Sequence, residues 1–74
     1  MELEPGQIWE STSNNPFAQL WLYRIVEIAK GRDGREWVQF HFWPIDAPRT
    51  SDIGSLPAED FVKGREFVEK ASEA

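Results

Sequence analysis

The sequence predicts a mainly β domain: a partly open barrel of about five antiparallel strands, with one short helical turn near residues 57–63. Three observations carry this expectation. Apolar and polar residues alternate from Leu20 to Lys30 and again from Arg35 to Trp43, the pattern of strands with one buried side. Between these runs lies Arg32-Asp33-Gly34, a three-residue hairpin connection with Gly in the left-handed position. Further on, Ser55-Leu56-Pro57-Ala58-Glu59-Asp60-Phe61 reads as a helix start. Pro suits a first helical turn, and acids suit the positive end of the helix dipole.

Taken in chain order, Pro5-Gly6 forms an opening turn and Gln7–Glu10 a short first strand. The segment Ser11–Gln19, with Asn14-Asn15-Pro16, is a loop by its turn chemistry. Phe17 is the one large apolar residue there and is expected to plug the core or close one end of the barrel. The second and third strands are the alternating runs, Leu20–Lys30 and Arg35–Trp43. Their hairpin sets Gly31 opposite Arg35 and Lys30 opposite Glu36. A regular ladder then pairs Ile28 with Val38, Val26 with Phe40, and Arg24 with Phe42. On the other face Glu27 meets Gln39, Ile25 meets His41, and Tyr23 meets Trp43. This register sends Leu22, Val26, Ile28, Val38, Phe40 and Phe42 to the core, with Arg24 as an exception near the rim.

Pro44–Gly54 holds turns and a short fourth strand. Ser55 or Leu56 then caps the helix, Gly64 ends it after about two turns, and Arg65–Glu69 forms the last strand. A competing reading is one helix from Pro57 to about Ser72, burying Phe61, Val62, Val68 and Ala71. Gly64 would cost that helix about 1 kcal/mol relative to Ala. The last four residues are expected to fray.

Composition narrows the class. The 74 residues form a single small domain, 1–74, with an ordered core expected over about 5–69. Four Trp and five Phe supply enough apolar area for a core without disulfide staples. Cysteine is absent, which excludes disulfides, thiol catalysis and thiolate metal sites. No apolar run approaches the ~18 residues of a membrane span, and no basic-then-apolar leader opens the chain. The expectation is a soluble cytoplasmic protein with no membrane partner. The net charge of −5 disfavours a general nucleic-acid binder, because such affinity comes from neutralising phosphates.

Pro5-Gly6-Gln7-Ile8-Trp9, then Tyr23-Arg24-Ile25-Val26 and a hairpin, then Leu56, Phe61 and a closing Phe67-Val68 together resemble small SH3-like β-barrels. These occur as uncharacterised bacterial and bacteriophage proteins. The resemblance implies five short strands curled into a partly open barrel, with one helical turn before the last strand. It assigns no functional residue, since such barrels bind peptides, nucleic acids or other domains through different surfaces.

The expected site is the second, outward face of the hairpin, which carries Trp21, Tyr23, Trp37, His41 and Trp43, with Ile25 between them. Trp and Tyr dominate binding hot spots. So large an aromatic face in so small a domain needs a cover: the chain's own ends, a second copy or a partner. A lone histidine without cysteine makes no zinc site of ordinary ligand count, and no serine or threonine stands in a nucleophile motif. The acids Asp46, Asp52, Glu59 and Asp60 match no calcium loop. No catalytic residue, cofactor or metal is therefore expected. The reading is a noncatalytic protein-interaction module of the bacteriophage or mobile-element accessory type, binding a bacterial host protein or a second copy of itself. The alternative is a nucleic-acid contact module using the same aromatics with Arg24, Arg32 and Arg35.

Overall fold

The computed structural model describes residues 2–69. Its elements are β1 (Ile8–Ser11), β2 (Trp21–Lys30), β3 (Glu36–Pro44), β4 (Asp52–Pro57), α1 (Ala58–Phe61) and β5 (Arg65–Glu69). The strands form one antiparallel sheet in the order β4-β3-β2-β1-β5. The domain is thus mainly β, a partly open barrel whose sheet curls without pairing β4 to β5. The residues after Gly64 form β5 instead of extending the helix, which settles the two readings of that segment. Gly64 turns the chain at φ 72°, a conformation that glycine adopts without strain. Ser55 and Leu56 belong to β4, and Pro57 stands at the helix N-cap with no side-chain cap bond. The expected fraying falls on residues 71–74, outside the described ones.

The hairpin forms as the turn chemistry dictates. The Gly31 amide donates to the Arg35 carbonyl at 2.7 Å, and Gly34 takes φ 82°. Lys30 faces Glu36, Ile28 faces Val38, and Glu27 faces Gln39. Beyond this point the expected register fails. A β-bulge between Ile25 and Glu27 sets Ile25, not Val26, opposite Phe40. Arg24 then faces His41, Tyr23 faces Phe42, and Leu22 faces Trp43. The physical reason lies in Arg24. A regular ladder would drive its charge toward the core on the Phe40 side, an expensive place for an unpaired cation. One extra residue in β2 exchanges the faces of everything before it, as a bulge must. Arg24 and Val26 go to solvent, Val26 at 44% exposure, and Tyr23 and Ile25 go inside. Leu22 is left half-buried outside the core cluster.

The core is Trp9, Tyr23, Ile25, Val38, Phe40 and Phe61. The single turn of α1 inserts Phe61, whose side chain is fully buried. Its ring lies 5.6 Å from Trp9, 6.1 Å from Tyr23 and 5.2 Å from Phe40, in edge or tilted geometry. Among the described residues one polar residue, Gln7, is buried with its side-chain bonds made. It donates to the Glu2 carbonyl at 3.0 Å and accepts the Trp9 indole N–H at 3.2 Å. Leu3 packs on the same cluster, so the packed segment begins before residue 5.

Phe17 does not plug the barrel; it is 94% exposed. The Asn15 side chain accepts the Phe17 amide at 3.0 Å, and Asn15 O accepts the Ala18 amide at 3.1 Å. This tight turn presents the ring to solvent, while Phe61 and Trp9 fill the interior expected for it.

Candidate functional site

The bulge divides the expected aromatic face. Tyr23 is a core residue, its ring 5.5 Å from Phe40 and 6.0 Å from Phe42. Ile25 is likewise buried. Trp21 moves with them to the inner side, half-buried, its ring 5.6 Å from Phe42. Trp37, His41 and Trp43 keep the outer side, because β3 carries no irregularity. His41 stands between Arg24 and Ile53, and Trp43 opposite Leu22. The five residues therefore do not share one surface.

A different surface gathers the inward part of that set. An open groove of about 360 Å³ runs along β4 toward the start of β5. Its aromatic lining is Trp21, Tyr23, Phe40 and Phe42; its walls are the Ile53–Leu56 stretch of β4 and Arg65. Gly54 is required for this shape. A Cβ there would lie 2.9 Å from Phe40 Cε1 and 3.0 Å from Phe40 Cζ, so the rings could not approach the strand so closely.

Arg65 closes one side of the groove. Its Nη1 donates to the Phe61 carbonyl at 3.0 Å, at the end of the short helix, and to the Lys63 carbonyl at 3.2 Å, in the turn that follows it. The guanidinium carbon sits 4.4 Å above the Tyr23 ring and 5.2 Å from that of Phe61. Its Nε is buried without a hydrogen-bond partner. Among the described residues the ion pairs join Arg35 to Asp33, Arg35 to Glu59, and Lys63 to Asp60, none of which involves Arg65. Sequence reading missed Arg65 as a site residue. The available signal was a charged side chain placed between Phe61 and Phe67, at a start of strand where the core continues on either side.

The groove also has an unpaired strand edge. Among the described residues β4 pairs only with β3. In an antiparallel strand every second residue turns its backbone groups away from the neighbour. The Ile53 amide donates to the Asp52 side chain at 3.0 Å, and Pro57 has no amide to donate. Ser55 has the same parity, so Ser55 offers its amide and carbonyl, and Ile53 its carbonyl, to the outer edge. Asp52 and Pro57 at the two ends blunt the strand against indiscriminate pairing.

The hairpin tip holds the other organised polar cluster. Asp33 Oδ1 accepts the Arg35 amide at 3.1 Å and the Trp37 indole N–H at 3.1 Å; Oδ2 accepts Arg35 Nε at 3.0 Å. Arg35 Nη1 also reaches Glu59 Oε1 at 3.0 Å. The amide of Arg35 first, then the indole and the guanidinium, hold the Asp33 carboxyl down from 3.8 to about 2. Asp33, and less strongly Glu59, in turn raise the Arg35 guanidinium above its ordinary value. Arg35 and Trp37 are thus tied into the turn. A second cleft, of about 350 Å³, lies between the N-terminal segment and α1 and carries Glu2, Glu36 and Glu59. Among the described residues no three His, Asp or Glu side chains gather as a metal cluster, and no helix is long and apolar enough to cross a membrane.

Comparison with protein-family models, with curated proteins and with solved structures found no match.

Proposed function

We propose that this chain is a noncatalytic protein-interaction module that takes an extended segment of its partner into the groove between β4 and β5. The observation that carries this reading is the coincidence of an aromatic trough with an unpaired strand edge. Strand addition supplies backbone hydrogen bonds, and adjoining pockets for alternate side chains supply selectivity. Trp21 and Phe42 provide rigid contact area of the kind that dominates interfaces. The lining holds two hydroxyls, Tyr23 and Ser55, and no carboxylate or histidine to activate either, which favours binding over chemistry. The nucleic-acid reading loses support at Arg35, whose charge already faces two carboxylates.

The test is Ser55→Pro. An outward position at an edge loses no bond to β3 when its amide is removed. Capture of a partner from nuclease-treated bacterial lysate is expected to disappear with Ser55→Pro and to persist with Trp37→Ala and Trp43→Ala. The opposite pattern, in a Ser55→Pro chain that melts within a few degrees of the parent, returns the contact to the outer face.

A further inference from the structure

We infer that the segment received by this groove carries a side-chain carboxylate beside an apolar anchor, and that Arg65 reads the carboxylate. The inference rests on the interaction reading above and specifies its partner. Three features of Arg65 support it. The guanidinium is fixed in place by the Phe61 and Lys63 carbonyls and by stacking on Tyr23. Its position is therefore set before any partner arrives, and little rotamer entropy remains to be lost. Both carbonyl bonds use Nη1, and no bond to a described residue uses Nε or Nη2. No acid among the described residues neutralises it.

A partly buried cation without a counter-ion among the described residues, beside an aromatic trough, is complementary to a carboxylate two positions along a strand from an apolar side chain. Residues at such spacing point to the same face. A charge-assisted bond to a guanidinium is among the stronger polar contacts available to a peptide. The chain's overall charge of −5 favours basic ligands instead, so an acidic preference cannot come from nonspecific attraction.

The experiment pans a display library of random peptides of about ten residues against the full chain, a length that covers one short strand addition. Enriched peptides are expected to pair a Leu, Ile, Phe or Trp with an Asp or Glu at strand spacing. Changing that Glu to Gln in a synthetic peptide is expected to weaken binding roughly tenfold or more, the size of one charged hydrogen bond. N-methylation of the peptide backbone at alternate positions is expected to abolish binding. Both changes are made in the ligand and leave the fold untouched. Ser55-dependent binders that tolerate Glu-to-Gln, or enrichment of Lys and Arg, would overturn the carboxylate and leave the groove reading standing. No enrichment, or binding indifferent to N-methylation and to Ser55→Pro, would overturn both. A wild-type dimer that Ser55→Pro converts to a monomer in sedimentation would assign the edge to a second copy, contrary to the proposal.

Discussion

Asp33 shows how one side chain organises a turn. Its carboxylate replaces backbone partners that a three-residue loop cannot supply, accepting the Arg35 amide and the Trp37 indole together. Because folding lowers its pKa from 3.8 to about 2, the ionised form is the one that stabilises the hairpin. That contribution is complete above the unfolded value and is lost as pH falls from about 4 through about 2. Asp33→Asn keeps an acceptor oxygen and removes the ionisation. Denaturant midpoints measured across this window are expected to fall further for wild type than for Asp33→Asn, and the Trp37 indole resonance is expected to titrate with an apparent pKa near 2. Equal slopes in the two proteins would place the acid sensitivity elsewhere. At the same scale, Arg65 was the residue least visible beforehand. Its placement arises from stacking on Tyr23 and from bonds to one helix-end carbonyl and one turn carbonyl, contacts that no local pattern announces.

The strands, the hairpin and the helical turn were legible because each depends on neighbours in sequence. Alternation marked β2 and β3, Gly34 marked the turn, and Gly64 separated α1 from β5. The bulge was not legible from alternation alone. Val26 and Ile25 are both β-branched and apolar, so either can serve as the inward residue. The deciding term is the placement of Arg24, which is tertiary. The exception that the regular register had to allow at Arg24 was itself the signal of a shifted ladder. The bulge makes a quantitative distinction between adjacent residues. Ile25→Ala is expected to cost about 2–5 kcal/mol, as large-to-small changes in a core do. Val26→Ala is expected to cost under about 1 kcal/mol, as at an exposed position. Equilibrium unfolding of the two variants checks this, and a reversed order would restore the regular ladder.

For the whole molecule, the bulge determines which aromatic side chains lie on which side of the sheet. It folds half of a supposed outer face inward, so that Tyr23 supports the core while Trp21 and Phe42 line a trough at the open seam of the sheet. The seam exists because β5 pairs with β1 and not with β4. It is aromatic within, edged by Ile53 and Ser55, and held on one side by Arg65. Trp37, His41 and Trp43 remain outside, and Trp37 is restrained by Asp33. The most direct measurement is a nitrogen-15 chemical-shift titration of the wild-type chain with a selected peptide. Shifts are expected at the amides of Ile53 and Ser55, the Arg65 Nε–H and the Trp21 indole, with the Trp37 and Trp43 indoles unmoved. Shifts centred on Trp37, His41 and Trp43, with the β4 edge unmoved, would contradict the groove reading.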